Sequence, residues 1–188
     1  MKMVYINKFF TYRNLANYLT IIRAGLGLPI IILLNQDDLF LAWVILIIAG
    51  VTDGLDGYFA RKSGINSPFG ARLDPLADKI LISAPILWLN QNGILASWAV
   101  WILFSRELLI TNWRSDDERG GPASIQGKLK TCLQYSSIIL MIWPEIIGGK
   151  EIAINLHKIG WLLFWPSLVF AFSSLKSYFK PQIILNLK

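Results

Sequence analysis

Six long apolar stretches, at approximately 16–34, 39–61, 72–90, 94–113, 127–147 and 157–176, govern what this chain can become. Each is close to the ~20 residues that an α-helix needs to cross a bilayer. The expectation is an all-α integral membrane protein with six transmembrane helices and an N-terminal interfacial amphipathic helix. Composition agrees, with 54% hydrophobic residues among 188, eight tryptophans and ten phenylalanines. Amphipathic aromatics of this kind collect at membrane–water interfaces. A large soluble helical core is the alternative that the apolar runs oppose. The length suits one domain, read as an interfacial segment at 1–15 and a six-helix domain at 16–188. The opening segment places Lys2, Lys8 and Arg13 among aromatics, a pattern of helices that lie along a membrane and unlike a cleaved signal peptide. Cys132 is the single cysteine, so no internal disulfide forms, and it is read as a small packing residue.

The basic residues set an orientation. Lys2, Lys8 and Arg13 precede the first span, and Arg61, Lys62 and Arg72 flank the second connection. Arg114, Arg119, Lys128 and Lys130 surround the fourth, and Lys176, Lys180 and Lys188 follow the last span. The opposite side has the turn-like connections NQDD and NQNG and a stretch with only Lys150 and Lys158. Positive-inside bias then puts both termini in the cytosol. In this orientation Arg23, Asp53, Asp56, Asp74, Asp78, Lys79, Arg106 and Glu107 all lie toward the cytosolic ends of their spans. The expectation is one polar chamber open to the cytosol. The net charge of +6 suits an anionic membrane surface. Its distribution follows topology and forms no single basic face of the kind that nucleic acid requires.

The stretch DGLDGYFARKSGINSPFGARLDPLAD, residues 53–78, concentrates the acids. On a helix Asp53, Asp56, Gly57, Ala60 and Arg61 share one face, as do Gly70, Asp74 and Asp78 on the next. Gly64 and Pro68 break the chain between them, so the two acidic faces can meet. Four adjacent carboxylates repel unless protons or cations compensate them, and their oxygens suit hard divalent ions. Zinc is not indicated, because His157 is the only histidine and lies toward the far side. Small residues at 57, 60 and 70 let a bulky ligand approach the backbone, and Arg61 is fitted to grip phosphate in two parallel hydrogen bonds. Acid, metal and arginine are the parts of a phosphoryl-transfer site. Acids within membrane helices also serve as proton relays or as structural partners of bases, so an ion or proton transporter stays open at this point.

The same stretch is similar to the signature of the CDP-alcohol phosphotransferases, D-x2-D-G-x2-A-R-x8-G-x3-D-x3-D. Asp53, Asp56, Gly57, Ala60, Arg61, Gly70, Asp74 and Asp78 fill every fixed position. The segment NLANYLTIIR, with Ala16 where the family carries proline, resembles the opening of the bacterial members that form phosphatidylglycerophosphate. LDPLADKIL, SRELLITNWR and GKLKT resemble them as well. The resemblance covers the first two-thirds of the chain and is absent beyond about Pro144.

That resemblance implies a six-helix, membrane-integral homodimer. The implied reaction moves a phosphatidyl group from CDP-diacylglycerol to glycerol 3-phosphate, releasing CMP. Asp53, Asp56, Asp74 and Asp78 are implied ligands of two Mg2+ or Mn2+ ions, and Asp78 is also the implied general base. Asn17, Thr20, Gly57, Arg61, Ser67 and Gly70 correspond to positions that bind the CDP donor. For Asn17 and Ser67, helix capping is the plainer role. A dianionic acceptor also needs cations, for which Arg106, Lys128, Lys130 and Arg114 are candidates. The plainer roles are positive-inside charge for Lys128 and Lys130, and for Arg106 a salt bridge to Glu107, which sequence neighbours on a helix disfavour. Arg23 is read as snorkelling to the interface and is left out of the site. The implied location is the bacterial cytoplasmic (inner) membrane with the active site facing the cytosol. Within the family, phosphatidylglycerol (giving cardiolipin), an inositol phosphate or serine are alternative acceptors.

Overall fold

The computed structural model describes residues 18–63, 68–116 and 125–185, and among these every regular element is an α-helix. They are α1 (18–25), α2 (Gly27–Asn35), α3 (Leu39–Ser63), α4 (Pro68–Gln91), α5 (Ser97–Asp116), α6 (Ile125–Met141) and α7 (Lys150–Leu185). The expected interfacial helix at 1–15 lies outside the described residues. Leu26 separates α1 from α2, yet its N–H donates to Ile22 O at 3.0 Å and its carbonyl accepts from Ile30 N at 3.2 Å. The ladder therefore continues across it, and Tyr18–Asn35 acts as one apolar rod.

The turns carry the chemistry that their positions demand. Asp37 has φ 60° and Gly93 has φ 71°, left-handed backbone that Gly adopts freely and Asp tolerates. Asp38 caps α3, its Oδ1 accepting from Leu41 N at 3.1 Å and so satisfying one of the orphan donors of the first turn. Asn90 Nδ2 donates to Leu95 O at 2.9 Å and to Ser97 Oγ at 3.0 Å, tying the end of α4 to the start of α5.

By packing, the chain divides between Pro85 and Ile86, within α4, into two compact units. In the first unit α1 and α2 bury Thr20, Arg23, Gly27, Ile30 and Leu34, a stripe at helical spacing. Ala42, Leu46 and Ala49 form the corresponding stripe on α3, and Ala77, Leu81 and Ala84 that of α4. Gly27 marks a close approach, since a Cβ there would stand 3.2 Å from Ile80 O of α4.

In the second unit Lys130, Gln134, Ser137, Ile138 and Met141 of α6 are buried, as are Ala153, Gly160, Phe164, Ser167, Leu168 and Ala171 of α7. Many of these are small, which allows helix backbones to approach closely. Ser137 Oγ donates to Gly160 O at 2.8 Å across the pair. Cys132 is exposed on α6, contrary to its reading as a packing residue. It falls two positions from Lys130 and Gln134 and so off the buried stripe.

Two rods, Tyr18–Asn35 and Lys150–Ser173, are long and apolar enough to cross a membrane, and only 28% of each apolar window is buried inside the protein. Their apolar faces point outward, unlike those of a soluble core helix. Trp101 is 70% exposed, Leu108 69% and Val169 66%, as expected of helices solvated by lipid. Two boundaries differ from the hydropathy reading. The fifth stretch ends as helix at Met141, and 142–149 is a turn region with Pro144 and two positive-φ glycines, Gly148 and Gly149. Its apolar Ile142, Trp143, Ile146 and Ile147 imitate a continuing span. The sixth helix starts earlier than predicted, at Lys150, with Glu151 in its first turn, where a negative charge complements the helix dipole.

Candidate active site

Asp53 lies on α3 one turn beyond Ala49 and so prolongs the buried stripe of that helix. Asp78 lies on α4 beside Ala77. The described part of α3 runs to Ser63 and that of α4 starts at Pro68; the break expected between the two acidic segments lies outside the described residues. Each helix thus offers an acid, and α1 supplies the cation that joins them. Arg23 Nη1 donates to Asp53 Oδ1 at 2.5 Å and stands 3.7 Å from Asp78 Oδ1. Thr20, one turn before Arg23 on the same face, is also buried.

Arg23 therefore does not snorkel, because the residue is 4% exposed. A cation that deep is costly unless paired, and its place on the Thr20–Gly27 stripe turns it toward α3 and α4. The close approach at Gly27, four residues on, brings the first span near enough to α4 for the pairing. Spacing along α1 placed Arg23 on the face of Thr20, a signal that snorkelling from a helix end would not need.

The carboxylates of Asp53 and Asp78 already converge on one positive centre. That donor set fits a hard divalent cation, which takes carboxylate oxygens in preference to nitrogen or sulfur. The described side chains include no gathered trio of metal-ligating groups. The side chains of Asp56 and Asp74, one turn from Asp53 and Asp78, lie outside the described residues. So do those of Arg61, Arg114 and Lys128 and the surroundings of Gly57 and Gly70; Asn17 and Ser67 are likewise outside.

A second polar cluster belongs to the other unit. Arg106 on α5 donates from Nη1 to Glu107 Oε1 at 2.6 Å and from Nε to Ala171 O of α7 at 3.2 Å. Lys130 on α6 donates from Nζ to the same Glu107 oxygen. Sequence neighbours were expected to point apart, but the long arginine side chain spans the offset and closes the pair. Arg106 and Lys130 are 8% and 3% exposed, so two buried cations share one carboxylate and the trio carries one net positive charge. Glu107, absent from the expected site residues, was legible in the sequence as an acid inside an apolar span and as the salt-bridge partner in the plainer role of Arg106, a pairing that the structure contains.

The profile of the family described as CDP-alcohol phosphatidyltransferase matches residues 13–173. A protein of Mycobacterium tuberculosis named "Probable phosphatidylglycerophosphate synthase" is 38% identical over 140 residues, which cover 70% of this chain and 66% of that protein. The CDP-diacylglycerol–glycerol-3-phosphate 3-phosphatidyltransferase of Rickettsia bellii is 31% identical over 175 residues, 89% of this chain and 94% of the relative. The Bacillus subtilis protein of the same name is 38% identical over 102 residues, 53% of each chain. With the acidic signature intact and the match running through both units, this chain belongs to the CDP-alcohol phosphatidyltransferase family.

Proposed function

We propose that the protein transfers a phosphatidyl group from CDP-diacylglycerol to glycerol 3-phosphate, forming phosphatidylglycerophosphate and CMP. The observation that carries the reading is the convergence of Asp53 and Asp78, two acids of the family signature, on a single cation. The names of relatives aligned over most of the chain support the same acceptor.

In this reading Asp53, Asp56, Asp74 and Asp78 hold divalent cations, two of Mg2+ or Mn2+. Ions held there would offset the charge of the donor diphosphate and make CMP a better leaving group. Gly57 and Gly70 leave room for the CDP moiety, Arg61 grips its phosphate, and Asn17, Thr20 and Ser67 orient it by hydrogen bonds. Asp78 takes the proton from the acceptor hydroxyl as that oxygen attacks the phosphorus bearing the lipid. One phosphorus–oxygen bond forms, the bond to the CMP oxygen breaks, and the electron pair leaves with CMP. Arg106 and Lys130, with Lys128 and Arg114, bind the acceptor phosphate, and Glu107 holds the first two in place before it arrives. Charge-assisted bonds of this kind are the strong ones in a desolvated site.

The architecture completes the proposal. Six spans carry the chain across the bacterial cytoplasmic membrane, both termini face the cytosol, and the protein works as a homodimer. An active site at the cytosolic surface serves a donor dissolved in lipid and an acceptor dissolved in water.

The test is CMP release by purified protein with CDP-diacylglycerol and Mg2+, offered glycerol 3-phosphate, serine, inositol phosphate or phosphatidylglycerol. Release is expected with glycerol 3-phosphate, lost on chelation with EDTA, restored by Mg2+ or Mn2+, and abolished by Asp78→Asn. Release with a different acceptor would overturn the substrate and keep the chemistry. No release from folded protein with any acceptor, but ion flux across sealed liposomes, would replace the enzyme with a transporter.

A further inference from the structure

We propose that Arg23 is a positioning residue of the acidic site: it ties Asp53 of α3 to Asp78 of α4 and so holds the two acids together for a divalent cation. The inference rests on reading the acidic signature as a divalent-cation site. One guanidinium nitrogen reaches both carboxylates, at 2.5 Å and 3.7 Å. These acids come from different helices, so their distance is set by packing and opposed by like-charge repulsion. A fixed cation between them offsets that repulsion before any ion binds.

The exposures decide what kind of cation Arg23 is. Its side chain is 5% exposed, whereas those of Asp53 and Asp78 are 38% and 40% exposed. The arginine is thus set deeper than the acids it joins, and an ion arriving from solvent meets carboxylate oxygen first. Arg23 is placed as a floor beneath the ligands and not as an occupant of their outer face. Burial along the Thr20–Gly27 stripe limits its freedom to leave. Lysine is a poor substitute, since its strongly hydrated ammonium on a shorter, flexible stem is not held at one fixed point between the two acids.

Mn2+ binding to the full-length protein in detergent, followed by the electron paramagnetic resonance signal of free Mn2+, tests this with wild type, Arg23→Met and Arg23→Lys. Thermal unfolding in EDTA is measured in parallel. Partners that orient metal ligands typically contribute about 10- to 100-fold to metal affinity. Arg23→Met is expected to weaken Mn2+ binding by that factor, with Arg23→Lys between it and wild type. Unchanged Mn2+ affinity with a lower unfolding temperature would reduce Arg23 to a structural ion pair and overturn the proposal. Tighter binding would make it a competitor of the metal and overturn it equally. If Arg23→Met does not fold, Arg23→Lys decides, and wild-type affinity in that variant defeats the proposal. Wild-type protein that binds no Mn2+ would defeat the divalent-cation reading itself, an outcome distinct from the others.

Discussion

At the scale of single residues, Glu107 holds together the cluster proposed to bind the acceptor. Its side chain is 13% exposed, and Arg106 and Lys130 share one of its oxygens. Removing one partner of a buried ionic cluster leaves the others uncompensated, at a cost of about 3 kcal/mol or more. Glu107→Gln is therefore expected to lower stability by that amount without substrate, and thermal unfolding measures it. Glycerol 3-phosphate should recover part of the loss, because its phosphate replaces the missing charge; equal losses with and without it would count against an anion site. Arg106→Ala has a kinetic signature instead. The KM for glycerol 3-phosphate should rise at least tenfold while that for CDP-diacylglycerol stays within twofold, as expected from about 1.4 kcal/mol of selectively lost binding. Similar rises for both substrates would remove Arg106 from acceptor recognition.

Among the elements, the α6–α7 contact depends on a missing side chain. A Cβ at Gly160 would stand 2.7 Å from Ser137 O, 2.8 Å from Met141 N and 2.9 Å from Leu140 Cβ. Two of those atoms are backbone, so the helices must separate to admit it. Gly160→Ala is expected to destabilise by about 1–3 kcal/mol, although alanine favours helix. Gly54 is the matched control, since nothing lies within 4 Å of its added Cβ and α3 is helical through it. There alanine should gain up to about 1 kcal/mol from helix propensity alone. Thermal unfolding of the two variants separates packing from propensity, and a stabilised Gly160→Ala would show that the contact tolerates a wider spacing.

Seen as a whole molecule, the chain combines buried charge with exposed hydrocarbon. Arg23, Arg106 and Lys130 are inside while Trp101, Leu108 and Val169 are outside, the reverse of a water-soluble protein. The aromatic rings of Trp98, Trp161 and Phe164 gather around Trp165 at centroid distances of 5.6, 5.5 and 5.9 Å. Trp161 also donates from Nε1 to Ile94 O at 3.2 Å, anchoring α7 to the turn before α5. Such amphipathic rings fit a bilayer boundary. The protein should stay with membranes in alkaline carbonate and be released by detergent. Reporter fusions at either terminus should be active only in the cytosol; release by carbonate or an external terminus would break the proposed topology.

Sequence alone determined what depends on short-range periodicity. The helices and the placement of Asp53 with Asp56 and of Asp74 with Asp78 on common faces follow from 3.6 residues per turn. It misjudged 142–149, where apolar residues continue past a turn, because hydropathy does not register backbone direction. The same limit hid the exposure of Cys132, which depends on the face of α6 that α7 covers. Only the tertiary structure decided which partners the buried charges find. Arg23 meets acids from α3 and α4, and Lys130 crosses from α6 to Glu107 on α5. The physical reason is that a helix face is a local property of the chain, whereas a buried cation takes whichever carboxylate long-range packing brings within a few ångströms.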